Sequence, residues 1–276
     1  METSGVSIAA CESSSPLGKL ETRILLMHAL GLTRIQLITR CEQLLDAEQL
    51  QTMQDLIQRR YDGEPIAYLV GEREFFGLPF RVSPDVLIPR ADTELLVELA
   101  LQHAPPQGSL LDMGTGSGAI AIAIAHSRPD LQVTALDVSP AALKIAEDNA
   151  QRILDPGRMR LLQSSWYEAL QAELFDTIVS NPPYIVKDDH HLGEGDLRFE
   201  PVIALTDHAD GLSNYRIIIG GAALHLKQGG WLLLEHGYDQ AEAVRSLLSE
   251  HGFTQVQTWR DLSGIERVTG GILATG

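Results

Sequence analysis

Two short strings carry most of the chemistry this sequence can perform. The first, Asn181-Pro182-Pro183-Tyr184, follows the run Asp176 to Ser180. Consecutive prolines have fixed φ angles and cannot donate to a sheet ladder, so they form a rigid loop at a strand end. The Pro182 carbonyl and the Asn181 side-chain oxygen are then available to acceptors' work outside the sheet. Two such acceptors suit a planar nitrogen bearing two N–H bonds. An amide or aromatic amine nitrogen is a poor nucleophile because its lone pair is delocalised. Gripping both N–H bonds orients it and draws the lone pair toward an electrophilic methyl group as charge develops on nitrogen. Asn181, Pro182 and Tyr184 are thus candidate catalytic residues, and Asn181 through Tyr184, Pro183 included, a candidate substrate clamp. Tyr184 supplies a flat face for the planar group. The plainer reading of the same string is a structural Pro-Pro turn.

The second string is Asp112-Met113-Gly114-Thr115-Gly116-Ser117-Gly118, between a short apolar run and a small-residue run. A glycine loop that closes a strand and opens a helix is where an open α/β sheet binds a nucleotide-like ligand. Asp137, closing the next strand, has the carboxylate that accepts ribose hydroxyls and repels a ribose phosphate. The loop alone also fits dinucleotide folds. The Asn-Pro-Pro-Tyr string favours S-adenosylmethionine over a nicotinamide, because hydride transfer has no use for paired acceptors. A sulfonium donor leaves as a neutral thioether, so no metal is required.

These strings need elements to position them. From Leu110 onward, strands and helices alternate: strands near 109–112, 133–136, 160–162, 177–180 and 231–235, and helices near 118–126, 139–153, 215–226 and 240–251. Segments 253–260 and 265–273 read as a closing antiparallel pair. Ser139 is a good N-cap and Pro140 a good first helical residue. The fold expected from this alternation is a doubly wound α/β sheet with helices on both faces, over 91–276. Residues 1–72 have helical periodicity at Leu20 to Leu30 and Asp46 to Arg60, which predicts a small helical-bundle domain. Between them, 73–90 reads as a β-hairpin connector, with Gly77-Leu78-Pro79 near its turn.

The totals restrict the partners. The chain has 276 residues, 44% of them hydrophobic, enough for one large and one small domain. No apolar run approaches the ~20 residues a membrane helix needs, and Met1 to Ser15 lacks the pattern of a signal peptide. Cys11 and Cys41 have no metal-ligand neighbours at close spacing, so a reducing, cytoplasmic compartment is expected. The net charge of −16 argues against a broad phosphate-tracking surface and is compatible with a basic protein partner.

With these strings in place, the sequence resembles the PrmC/HemK family of protein-glutamine methyltransferases over nearly its whole length. The resemblance rests on RYDGEPIAY (60–68), REFFG (73–77), LIPRADTE (87–94), LDMGTGSG (111–118), VSNPPYI (179–185), RFEP (198–201) and LEHG (234–237). It implies methylation of the glutamine in the Gly-Gly-Gln motif of bacterial class I peptide chain release factors, with S-adenosylmethionine as methyl donor. It implies an α/β class I, Rossmann-like methyltransferase domain over 91–276 and a helical N-terminal domain that helps recognise that substrate. It assigns the cofactor to Gly114, Thr115, Gly116, Ser117, Gly118, Asp137 and Asn181, with Trp166 against the adenine, and the glutamine amide to Asn181 through Tyr184. A monomer without nucleic-acid or membrane contacts is expected. Three positions depart from the family pattern: Ala91 for a second proline, Ser165 for an acidic residue before Trp166, and Ile272 for a basic residue in the last strand.

Other signals are weaker. Asp188, Asp189, His190 and His191 cluster, but no further ligands recur at metal spacing, so a solvated loop is the expectation. Glu94 suits either the substrate entrance or a helix N-terminus. Glu235-His236 suggests an acid–base pair but is assigned a structural role. Two other functions compete: an adenine amino methyltransferase acting on nucleic acid, which uses similar Asn-Pro-Pro-Tyr logic, and a non-enzymatic cofactor-binding protein.

Overall fold

The computed structural model describes residues 5–274; Met1 to Ser4 of the N-terminal stretch read above, with Thr275 and Gly276, lie outside the described residues. The chain divides into two compact units, Met1–Glu72 and Arg73–Gly276. The first holds five helices: α1 (Ile8–Ser14), α2 (Lys19–Leu30), α3 (Arg34–Thr39), α4 (Ala47–Tyr61) and α5 (Ile66–Val70). Capping boxes start α3 (Thr33 with Gln36) and α4 (Asp46 with Gln49), satisfying donors that a helix N-terminus otherwise leaves open. Ile8, Leu25, Leu26, Leu37, Met53 and Leu56 meet in its core. Arg60 on α4 donates to Glu21 on α2 at 2.9 Å, tying the two longest helices together.

In the second unit a hairpin, β1 (Glu72–Phe75, its first residue at the boundary) and β2 (Leu78–Arg81), precedes α6 (Glu94–His103). Phe75 and Phe80 meet edge to face at 6.0 Å and join the core under α6. The hairpin turns through Phe76 and Gly77, both at positive φ. Glu94 accepts a hydrogen bond from the Phe76 N–H at 2.8 Å. Glu94 thus stands at a helix N-terminus, one of its two predicted places, and from the first residue of α6 it also closes the hairpin, a role the sequence did not suggest.

There follow β3 (Ser109–Met113), α7 (Ala119–Ser127), β4 (Gln132–Asp137), α8 (Pro140–Ile153), β5 (Met159–Gln163) and β6 (Phe175–Ser180). The chain then continues through α9 (Val202–Leu205), α10 (Ser213–Ala222), β7 (Leu226–Glu235), α11 (Ala241–Glu250), β8 (Phe253–Arg260) and β9 (Glu266–Leu273). The seven-stranded sheet has the order β5-β4-β3-β6-β7-β9-β8. The strands from β5 to β7 pair in parallel, and β9 runs antiparallel between β7 and β8. This is the doubly wound α/β sheet expected from the alternation, in the class I arrangement that the resemblance implies. Helix α7 is buried at every position from Ala119 to Ala125, which explains its lack of polar residues. Ser139 caps α8 by accepting from the Ala142 N–H at 3.2 Å.

Two boundaries differ from the periodicity. Helix α10 stops at Ala222, and β7 begins at Leu226 rather than Trp231. The reason is a bulge at Gly229-Gly230, where a side chain on Gly230 would lie 2.8 Å from the Lys227 carbonyl oxygen. The polar loop after Tyr184 is also more ordered than expected. It holds single turns at His190–Gly193 and Gly195–Phe199, and Ile185 bridges to Thr206.

Strand order sets the site. The chain enters the sheet at β3, runs outward to β5 and returns to β6 on the other side of β3. The switch point between β3 and β6 opens a crevice at their carboxyl ends. Register makes this specific: Met113 pairs with Leu136 and with Ser180, and Ser180 with Leu234. One residue further on, Asp137, Gly114, Asn181 and Glu235 fall in a single row across four strands.

Candidate active site

The glycine loop is held from both sides. The N–H groups of Gly114 and Thr115 donate to the Leu136 carbonyl at 2.9 Å. The Gly116 N–H donates to Asp137 Oδ2 at 2.9 Å, and the Ser139 N–H donates to Oδ1 at 2.9 Å. Gly116 has φ +55° and nothing within 4 Å of where a side chain would start, so the backbone there faces open space. Gly118 has φ +83°, and a side chain on it would lie 2.8 Å from Ile122 and 3.2 Å from Ala146. The loop must therefore be glycine for two reasons, ligand access at Gly116 and close packing against α7 and α8 at Gly118. Asn149 on α8 fastens the arrangement, donating to the carbonyls of Ser117 (2.9 Å) and Arg81 (3.0 Å).

Burial raises the Asp137 carboxyl, and the N–H groups of Ser139 and Gly116 oppose that. Each of its oxygens keeps a lone pair for a ligand hydroxyl. Asp112 lies beneath the loop, fully buried, and burial pushes it up to about 7. Its Oδ2 accepts from the Thr115 hydroxyl at 2.6 Å. Asp112 holds the loop from inside the protein.

The Asn-Pro-Pro-Tyr loop is built differently, with long-range clips in place of local turns. Asn214 Nδ2 donates to the Pro183 carbonyl at 2.8 Å, and Gln240 Nε2 donates to the Tyr184 carbonyl at 3.0 Å. Asn181 Nδ2 donates to the Thr93 hydroxyl at 3.3 Å. No described residue donates to the Pro182 carbonyl or to Asn181 Oδ1. Tyr184 packs against the core beside α10, and burial pushes its hydroxyl up to about 12.

A cavity of about 280 Å³ lies over the crevice. Gly114, Gly116 and Asp137 line it together with Val138, Ala142, Trp166, Asn181 and Pro183. Trp166 sits at φ +49°, an uncommon conformation for a non-glycine residue, and its carbonyl accepts from the Ser164 hydroxyl at 2.8 Å. Of the predicted cofactor residues, Thr115, Ser117 and Gly118 do not line the cavity; they face inward and hold the loop. Pro182 and Tyr184 lie just outside the lining.

Several lining residues were not singled out from the sequence: Val86, Leu87, Ile203, Ala204, Asp207 and Asn214. A cue existed for some. Val86 precedes LIPRADTE, Leu87 opens it and Ile203 lies two residues past RFEP, and the structure joins these segments, since the Arg90 guanidinium pairs with Glu200 and the Ile88 N–H donates to Glu200 at 3.0 Å. Nothing in the sequence marks Asn214. Ser165 lines the cavity, Ala91 opens the turn Ala91–Thr93, and Ile272 pairs with Trp231 within the sheet. Among the described residues no group of three or more His, Cys, Asp or Glu could hold a metal ion. A larger hollow, about 580 Å³, opens at the opposite strand edge beside Gln107, Arg158 and Lys227 and holds none of the candidate site residues.

The donor set fits the adenosyl group of S-adenosylmethionine. A carboxylate with two spare lone pairs suits vicinal hydroxyls, an apolar wall with an indole suits a purine, and a side-chain-free loop allows close approach.

Known proteins carry the same organisation. Residues 9–71 match the PrmC N-terminal domain and residues 90–194 the Methyltransferase small domain. The chain is 55% identical to the release factor glutamine methyltransferase of Burkholderia pseudomallei, over 94% of each chain. It is 47% identical to that of Escherichia coli, over 94% of this chain and 93% of the relative. A methyltransferase structure from Pyrococcus furiosus, 18% identical, shares the fold with a TM-score of 0.56, over 79% of this chain and 98% of the other. With the glycine loop, the acidic strand end and the Asn-Pro-Pro-Tyr clamp in one crevice, and this identity sustained along the sequence, the chain belongs to the family of release factor glutamine methyltransferases.

Proposed function

We propose that the protein transfers the methyl group of S-adenosylmethionine to the side-chain amide nitrogen of the glutamine in the Gly-Gly-Gln motif of a bacterial class I peptide chain release factor. The observation that carries this reading is the pair of acceptors, Asn181 Oδ1 and the Pro182 carbonyl, left without protein partners beside the cavity. When bound, S-adenosylmethionine supplies an electrophilic methyl group on a sulfur that leaves neutral. Asp137 takes the ribose hydroxyls and Trp166 flanks the adenine, with Gly114 and Gly116 allowing close approach. Asn181 and Pro182 accept the two N–H bonds of the glutamine amide, and Tyr184 presents its ring to the amide plane. The acceptors fix the nitrogen's orientation and stabilise the positive charge it gains as the new C–N bond forms.

The helical unit 1–72 is read as the part that recognises the release factor, 73–90 as a hairpin connector and 91–276 as the catalytic domain. A substrate from translation termination places the enzyme in the cytoplasm. No helix among the described residues is long and apolar enough to cross a membrane. The nucleic-acid reading is not favoured, because relatives matching more than nine-tenths of the chain are named for glutamine methylation.

The test is methyl transfer from labelled S-adenosylmethionine. Label is expected in an unmodified release factor and absent from duplex DNA and from the same factor with its Gly-Gly-Gln glutamine replaced. Label in the replaced factor or in DNA, or none in the unmodified factor, would sink the proposal.

A further inference from the structure

We propose that Glu235 is a positioning residue that decides which edge of the Asn181 amide faces the substrate; this rests on the methyl-transfer reading above. An asparagine amide has nearly the same shape either way round. Packing therefore does not distinguish an oxygen facing the cavity from an NH2 group facing it. For the clamp the difference is total: the oxygen accepts from the substrate N–H, while the NH2 group would oppose it.

Glu235 supplies the missing polarity. It ends β7, next to Asn181 in the register row, because Ser180 pairs with Leu234. It is 2% exposed. Its carboxylate faces the side chains of Thr93 and Asn181, whose polar hydrogens favour its ionised form, and Asn181 Nδ2 donates to the Thr93 hydroxyl at 3.3 Å. An ionised carboxylate only accepts. The Asn181 edge turned toward it must be NH2, which sends Oδ1 toward the cavity. Thr93 holds the same polarity by accepting from Asn181 Nδ2, which leaves its own hydroxyl proton to turn toward the carboxylate. Glu235 does not line the cavity, so it acts through Asn181.

Glu235 Oε2 has no hydrogen-bond partner among the described residues. A proton therefore has somewhere to sit, and burial pushes the group up to about 7. Arg267 opposes that shift and Asp92 adds to it. The Tyr184 and Tyr215 hydroxyls also face the group, and both are raised by burial and stay neutral. Once protonated, Glu235 can donate, and the amide is free to turn its oxygen inward. The competent form is the ionised one, so kcat should rise with pH through about 7.

The test is Glu235→Gln, which keeps the shape and adds a donor. At pH 8, kcat is expected to fall about 10- to 100-fold, with the dissociation constant for S-adenosylmethionine changed less than about twofold. The acid limb of the kcat profile should vanish in the variant. Turnover within about twofold of wild type would overturn the proposal. Thr93→Val serves if Glu235→Gln does not fold, with a smaller kcat loss expected and the acid limb kept; unchanged turnover there counts equally against it. A second readout needs no substrate. The Asn181 side-chain amide resonance of the wild type should titrate near pH 7, and a flat response would refute the inference. Failure of the wild type to label a release factor would instead count against the methyl-transfer reading, leaving the resonance to decide the role of Glu235.

Discussion

Strands β3 and β6 are neighbours, and each ends in a loop of the candidate active site, yet the two loops are built by opposite means. The loop after β3 is made of glycines at positive φ, and its backbone amides are tied to Leu136 and Asp137 one strand away. The loop after β6 is made of prolines and is tied to Thr93, Asn214 and Gln240, which come from distant parts of the sequence. The difference follows from what each must present. A cofactor's ribose and adenine need room, so that loop gives up side chains. A weakly nucleophilic nitrogen needs two acceptors in fixed positions, so the second loop gives up freedom. On the proposed function, the first loop should contribute mainly affinity and the second mainly rate.

That division can be broken by experiment. The largest effect is expected for Asn181→Ala: turnover should fall roughly 100-fold or more while cofactor affinity stays close to that of wild type. Single-turnover kinetics beside calorimetry would check this, and equal losses in both would erase the distinction between the loops. Gly118→Ala should act on stability, because it forces a side chain into left-handed backbone 2.8 Å from Ile122. A loss of about 2 kcal/mol is expected from denaturant unfolding, and an unchanged midpoint would show that α7 and α8 can give way. The smallest effect is expected for Asp137→Ala, an affinity loss on the order of tenfold for S-adenosylmethionine with little change in kcat at saturation. A dominant kcat loss there would move Asp137 out of the affinity side of the comparison.

The same contrast explains what was readable in advance. The glycine loop, Asp137 and Ser139 lie close together in the chain, and their spacing carries their meaning. Even so, Thr115 and Ser117 turned out to face inward, because a turn string does not tell which side chains point at a ligand. Glu235 was noticed in LEHG, and its connection to Asn181 became visible only through the pairing of β6 with β7. Asn214 and Gln240 gave no signal, since an amide clip on a distant carbonyl needs no local pattern.

The sequence by itself determined the alternation of strands and helices, the two chemical strings and the acidic strand end. Each of these is written in local propensity, and hydrophobic period and proline or glycine geometry act over a few residues. The tertiary structure decided the row that sets Asp137, Gly114, Asn181 and Glu235 side by side and the joining of two cavity-lining segments through Arg90 and Glu200. Those depend on strand order and register, which are fixed by burying the whole sheet between its helices.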